Sequence, residues 1–315
     1  MSYFDDVYCG LCKDILENGV QVHNRTGIDT IKIPSAHFHL DVSKEFPILT
    51  TKQLFIRQAV TEMLWIYQAQ SNDVRWLQER NVHIWDKWEI NEDGDWIDEN
   101  TGNVLKHFDP SFAHTIGTAY GYIVKKYDLM NEACELLQEK LQDDCLDALI
   151  ENFDNLLNDG KVHVEDGIPD EKTASKLAEI YRAVCLDEIS TEDRRLLLQL
   201  SLLTVYRKEK IQANHQMTPD SIGFLTAYLL QQVYEKKDET NFLDLCVGTG
   251  NLAAVVINAL KNNGFKNIHG FGIDNDDTLL TIASIESQLC DLDLNLYHQD
   301  ALDKSLIPQA DVIVS

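Results

Sequence analysis

The stretch Phe242-Leu243-Asp244-Leu245-Cys246-Val247-Gly248-Thr249-Gly250-Asn251-Leu252-Ala253-Ala254-Val255-Val256 narrows the possible folds of this chain more than any other. A short apolar run, a Gly-x-Gly turn and an immediate helical pattern make a buried strand that feeds a helix. Glycines at such a turn let backbone approach a ligand, and the first amides of the helix carry partial positive charge toward it. A nucleotide-like ligand is the expectation here, beside the plainer reading of a strand-to-helix turn that binds nothing.

The residues that follow repeat the unit. The pattern predicts helix 251–262, strand 268–273 ending at Asp274, helix 278–290, strand 294–298 ending near Asp300, and strand 311–314. Such a series makes a doubly wound parallel sheet whose ligands lie beyond the carboxyl ends of the strands. Ahead of it, Thr218 suits the N-cap and Pro219 the first position of a helix over 220–234. Gly248-x-Gly250-x-x-Ala253, with Asp274 downstream, also fits a dinucleotide fingerprint. Asp244 separates the two ligands, because a carboxylate repels a pyrophosphate and attracts the ammonium of S-adenosylmethionine.

Upstream, the leucine spacing predicts a helical module: one long helix over 132–157, a second over 173–185 and a third over 192–210. Earlier still come an amphipathic helix over 3–18, a β-like run over 31–41, a helix over 56–70 with Glu62 beside its apolar stripe, and an exposed hairpin or insertion over 91–102. Cys9 and Cys12 are expected at buried helix positions rather than as a redox or zinc pair. The three tryptophans between 76 and 88 are expected mainly in a core. The character of the chain changes near Met130 without a linker, which suggests that two parentages join there.

At 315 residues the chain has room for two domains, and its 44% hydrophobic content is ordinary for a globular protein. No apolar run reaches the ~18 residues that span a membrane, and the acidic start has no signal core, so a cytoplasmic protein without membrane contact is expected. Seven scattered cysteines fit a reducing compartment. The net charge of −25 lacks the basic footprint of an autonomous DNA binder.

Five ordered segments then carry a resemblance: Asn24-Arg25-Thr26-Gly27, Phe46-Pro47-Ile48-Leu49-Thr50-Thr51-Lys52, Glu62-Met63-Leu64-Trp65-Ile66-Tyr67, Asn81-Val82-His83-Ile84-Trp85-Asp86-Lys87-Trp88 and Thr115-Ile116-Gly117-Thr118-Ala119-Tyr120-Gly121. Residues 1–129 resemble the amino-terminal part of thymidylate synthase. The resemblance implies that Arg25 holds the phosphate of dUMP and that Lys52 lies near the tail of methylene-tetrahydrofolate. It also implies that Glu62 relays protons near the pyrimidine, that Trp85 packs on the folate, that Tyr120 joins the catalytic network, and that a homodimer forms through this half. The family's nucleophile is a cysteine after a proline. Cys134, Cys145, Cys185, Cys246 and Cys290 follow none, so synthase turnover is not expected.

His215-Gln216-Met217-Thr218-Pro219, Asp244 to Leu252, Gly272-Ile273-Asp274 and His298-Gln299-Asp300-Ala301-Leu302 resemble class I S-adenosylmethionine-dependent methyltransferases. The match is to bacterial proteins related to N6-adenine DNA methyltransferases, which place a helical module first. It implies that Thr218 and Pro219 flank the methionine moiety, Asp244 meets its amino group, Gly248 and Gly250 admit close approach, Asp274 holds the ribose hydroxyls, and Asp300 contacts the adenine amino group. Such enzymes carry an Asn/Asp-Pro-Pro-Tyr-like motif after the strand that 311–315 would form, and it grips the target base. With the sequence ending at Ser315, the base site and the remaining strands are expected to be missing. The expected architecture is therefore a synthase-like α+β segment over 1–129, a helical module over 130–212 and a truncated Rossmann-like core over 213–315. Both active sites are expected to be incomplete, with no metal and with exposed apolar edges.

Overall fold

The computed structural model describes residues 2–23, 28–141, 144–164, 169–208, 217–303 and 307–315, which divide into two compact units, Met1–Met63 and Leu64–Ser315.

In the first unit, helix α1 (Tyr3–Asn18) starts with a reciprocal cap: the Ser2 hydroxyl accepts the Asp5 N–H at 3.0 Å and the Asp5 carboxylate accepts the Ser2 N–H at 2.9 Å. The Thr50 hydroxyl donates to Asp5, which also accepts the N–H groups of Thr50 (2.8 Å) and Thr51 (3.3 Å), and these bonds, the hydroxyl's first, hold its carboxyl well below the usual range. Strands β1 (Val20–Val22) and β2 (Thr30–Lys32) pair antiparallel, and α2 covers Ile56–Met63. Two expectations are corrected here. The β-like run over 31–41 forms a strand only through Lys32, and Cys9 is exposed while Cys12 is half-buried. Three-residue strands are too small a surface to cover the apolar stripe of α1.

The second unit begins with a π-helical turn at Leu64–Gln68, then α3 (Arg75–Gln78) and the hairpin of β3 (Asp95–Ile97) with β4 (Val104–His107), whose second strand lies beyond the 91–102 expected. The long helix expected over 132–157 is two helices, α4 (Gly121–Leu141) and α5 (Cys145–Leu157). Asp144 caps α5 by accepting the N–H groups of Leu146 and Asp147, both at 2.9 Å. Helix α4 runs unbroken through Met130, which is fully buried. Helices α6 (Glu171–Val184) and α7 (Thr191–Lys208) complete the module. Its core contains Leu137, Phe153, Leu177 and Leu197, and each such side chain contributes roughly 1.5–3 kcal/mol on burial.

Helix α8 (Asp220–Val233) leads to the sheet: β5 (Thr240–Asp244), α9 (Asn251–Asn262), β6 (Ile268–Asp274), α10 (Asp277–Leu289), β7 (Leu294–His298) and β8 (Val312–Val314). The four strands are parallel in the order β7-β6-β5-β8. Phe242 of β5 lies opposite Gly270 and Val312 and packs with Ala227 of α8 and Val256 of α9. Ile282, Ile285 and Leu289 of α10 belong to the helical module's core, so this helix is shared by the bundle and the sheet. Among the described residues, no helix is long and apolar enough to cross a membrane and no side-chain cluster could hold a metal ion.

Candidate cofactor site

The carboxyl ends of β5 and β6 place Asp244 and Asp274 on either side of the glycine turn. Gly248 (φ +54°) and Gly250 (φ +88°) adopt left-handed backbone that glycine takes without strain. A side chain at Gly250 would press on Ala283 of α10, 3.1 Å away, so that glycine serves close packing. At Gly248 a Cβ would meet nothing nearer than the Cys246 carbonyl at 4.0 Å and would take up cavity space instead.

That cavity, about 230 Å³, is lined by Thr218, Cys246, Gly248, Asn251, Asp274 and Asn275 among others. A second, of about 210 Å³, continues past Cys246, Asp274 and Asn275 to Gln299 and Asp300. The structure thus brings Thr218, Gly248, Asp274 and Asp300 to one groove. Pro219, expected at the first helical position, is instead the N-cap residue of α8, so Thr218 precedes the cap and does not supply the side-chain cap expected of it; Gly250 is the N-cap residue of α9.

The two acids differ in state. Asp274 accepts the Gly248 N–H at 2.9 Å and the Asp276 N–H at 3.0 Å. The turn amide that a phosphate ligand would seek is therefore already taken. Asp244 is fully buried; its Oδ1 accepts the Cys246 N–H at 3.2 Å, and its Oδ2 has no partner among the described residues. Burial raises its pKa to about 6, the Cys246 N–H works against the rise, and the nearby Asp274 adds to it. The turn is flanked by the acids Asp244 and Asp274 and one acceptor is unfilled, a setting that favours a cation and disfavours a pyrophosphate.

Residues that local patterns did not single out complete the site. Asn251, the first residue of α9, donates to the Thr218 carbonyl at 2.6 Å. Its partners include Arg195 of α7, whose signal in the sequence is a charge inside a leucine-rich helical stripe.

The synthase-like positions are distributed differently. Arg25 lies outside the described residues. Lys52, exposed, and Glu62, half-buried, belong to the first unit, and Trp85 and Tyr120 to the second. The Trp85 ring packs 4.9 Å from Tyr120 and 5.2 Å from Trp88, and these side chains with Trp96, Lys106 and Phe108 line a cavity of about 290 Å³. Trp76 and Trp85 pack half-buried against the core of Trp65, Ile66, Leu77 and Val82, as expected, whereas Trp88 is exposed at the mouth of the cavity and corrects the expectation for that ring.

The comparisons with known proteins divide along the same lines. The family model for thymidylate synthase matches residues 6–179, continuing past 129 through α4 and α5 into α6. Thymidylate synthase of Clostridium beijerinckii is 43% identical over 143 residues, 45% of this chain and 46% of that protein. The uncharacterized protein YtxK of Bacillus subtilis is 31% identical over 188 residues, 60% of this chain and 55% of that protein. A solved Listeria monocytogenes protein, assigned as a class I S-adenosylmethionine-dependent methyltransferase, is 36% identical with a TM-score of 0.54, covering 61% of this chain and 57% of its own. The chain spans about half the length of the curated relatives it matches.

Proposed function

Because the chain belongs to the thymidylate synthase family and over 61% of its length is similar in fold to a class I methyltransferase, we propose that the groove at Gly248 binds S-adenosylmethionine. The observation that carries this is the pair Asp244 and Asp274: one keeps a buried, unfilled acceptor, and the other occupies the amide a phosphate would need. In this reading Thr218 and Pro219 flank the methionine moiety, Asp244 attracts the ammonium, Asp274 takes the ribose hydroxyls with its remaining lone pairs, and Asp300 meets the adenine. The bound donor would supply an activated methyl group; the chain's own residues bind and orient it.

The parentage we assign is the N6-adenine DNA methyltransferase type, with limits near 130–212 for the helical module and 213–315 for the donor-binding core, in a cytoplasmic protein. The proposal stops at donor binding. A charge of −25 opposes DNA. Residues 1–129 are proposed to retain the synthase scaffold, with Arg25, Lys52, Glu62, Trp85 and Tyr120 as the family's dUMP and folate positions.

Titration calorimetry at pH 7.5 tests the site. S-adenosylmethionine is expected to bind, NAD not to, and Asp244→Ala to weaken binding at least tenfold. Affinity for the parent chain is expected to fall as pH drops below about 6, where Asp244 takes up its proton. Binding of NAD in place of the methyl donor would overturn the assignment.

A further inference from the structure

Arg195 sits in the helical module yet is fully buried, and its guanidinium reaches across to the cofactor side. Nη1 donates to Asp220 Oδ1 at 3.0 Å and to Asn251 Oδ1 at 2.9 Å, and Nη2 donates to Asp220 Oδ2 at 2.9 Å. Glu192, one turn earlier, holds the other edge of the guanidinium through Nε (3.2 Å) and Nη2 (2.7 Å). Gln199, one turn later on α7, donates to Asp220 Oδ1 at 2.7 Å and to Asn251 Oδ1 at 2.6 Å. Asn251 is thereby fixed at its oxygen by two donors from α7, which turns its amide nitrogen to the Thr218 carbonyl at 2.6 Å.

Each link has a geometric consequence. Asp220 is the first residue of α8, two positions after Thr218, and Asn251 directly follows Gly250. Bidentate pairing fixes direction as well as distance, which a single point charge cannot do. Thr218 and Asn251 both line the cavity. Their spacing is thus set from a helix that does not line it.

We propose that Arg195 and Gln199 are positioning residues of the cofactor groove, a clamp by which the helical module holds the Thr218 end in the conformation that accepts the amino-acid part of the ligand. This rests on the assignment of the groove to S-adenosylmethionine. The clamp touches the Thr218–Asn251 end and does not reach Asp300, so it acts on one half of the ligand. The module is then a component of the binding site and not an appended domain.

The test uses the full chain with Arg195→Lys, which keeps the charge and loses the fork, and Gln199→Leu, which removes two hydrogen bonds at similar volume. Binding of S-adenosylhomocysteine is measured by calorimetry and that of adenosine by competition, below the melting transition of each variant. Both variants are expected to lose at least tenfold affinity for S-adenosylhomocysteine while adenosine stays within about threefold. Equal losses for the two ligands would show general destabilisation, and unchanged affinity in a folded Gln199→Leu variant would remove the clamp; either overturns the proposal. Failure of the parent chain to bind either ligand would instead overturn the cofactor assignment beneath it.

Discussion

Glu286 of α10 is a carboxyl that the fold buries without fully pairing it. Its Oε1 has no partner among the described residues, and burial raises its pKa to about 8, with Arg195 opposing the rise and Asp220 and Glu192 adding to it. The sign of its effect on stability follows. Below about pH 4.5, the ordinary value, Glu286 is protonated folded and unfolded alike, so it contributes no pH dependence. Between there and about 8 the folded chain holds a proton that the unfolded chain has lost, and stability declines as pH rises. The slope approaches about 1.4 kcal/mol per pH unit for one proton. Chemical denaturation from pH 5 to 8 is expected to show Glu286→Gln gaining stability over the parent as pH rises. A constant difference across that range would show that Glu286 is charged in the fold. Sequence placed Glu286 within a helical pattern over 278–290 and nothing more, since burial of one carboxyl among apolar neighbours has no local signature.

At the scale of elements, α8 packs closely on α9, whose first residues Asn251 and Leu252 line the groove. Gly223 faces Val255 so closely that an added Cβ would stand 2.7 Å from its Cγ1. Gly223→Val is expected to cost about 1–3 kcal/mol by overpacking, as measured by urea melts. A variant as stable as the parent would mean that the two helices can separate there at no cost. The sheet strands and the glycine turn were legible in the sequence because strand, turn and helix chemistry is local. The break between α4 and α5 was not: apolar spacing continues through it, and Asp144 resembles any solvated acid until its cap bonds to Leu146 and Asp147 are seen. Cys9 and Trp88 misled for a related reason. Periodicity says which face of an element is apolar, and only neighbouring elements decide whether that face is covered.

For the whole molecule, apolar burial is distributed unevenly. Among the described residues of Met1–Met63 the one buried side chain is the carboxylate of Asp5, whereas the second unit holds three apolar clusters. Hydrogen bonds that are not sealed by apolar packing open at low free energy. Hydrogen exchange on the full chain is expected to label the amides of α1 and α2 at least tenfold faster than those of α4, α7 and α9; equal protection would contradict that. By itself the sequence determined the parallel α/β core, because strand, turn and helix signals are written in short-range spacing, and its resemblances pointed to two parentages and to Thr218, Gly248, Asp274 and Asp300 as ligand positions. Tertiary structure alone decided that Asp274 is occupied by the turn, that Asp244 keeps a free oxygen, and that Arg195 joins residues 25 and 56 positions away. Those outcomes depend on which groups lose water together, a property that only the packed chain possesses.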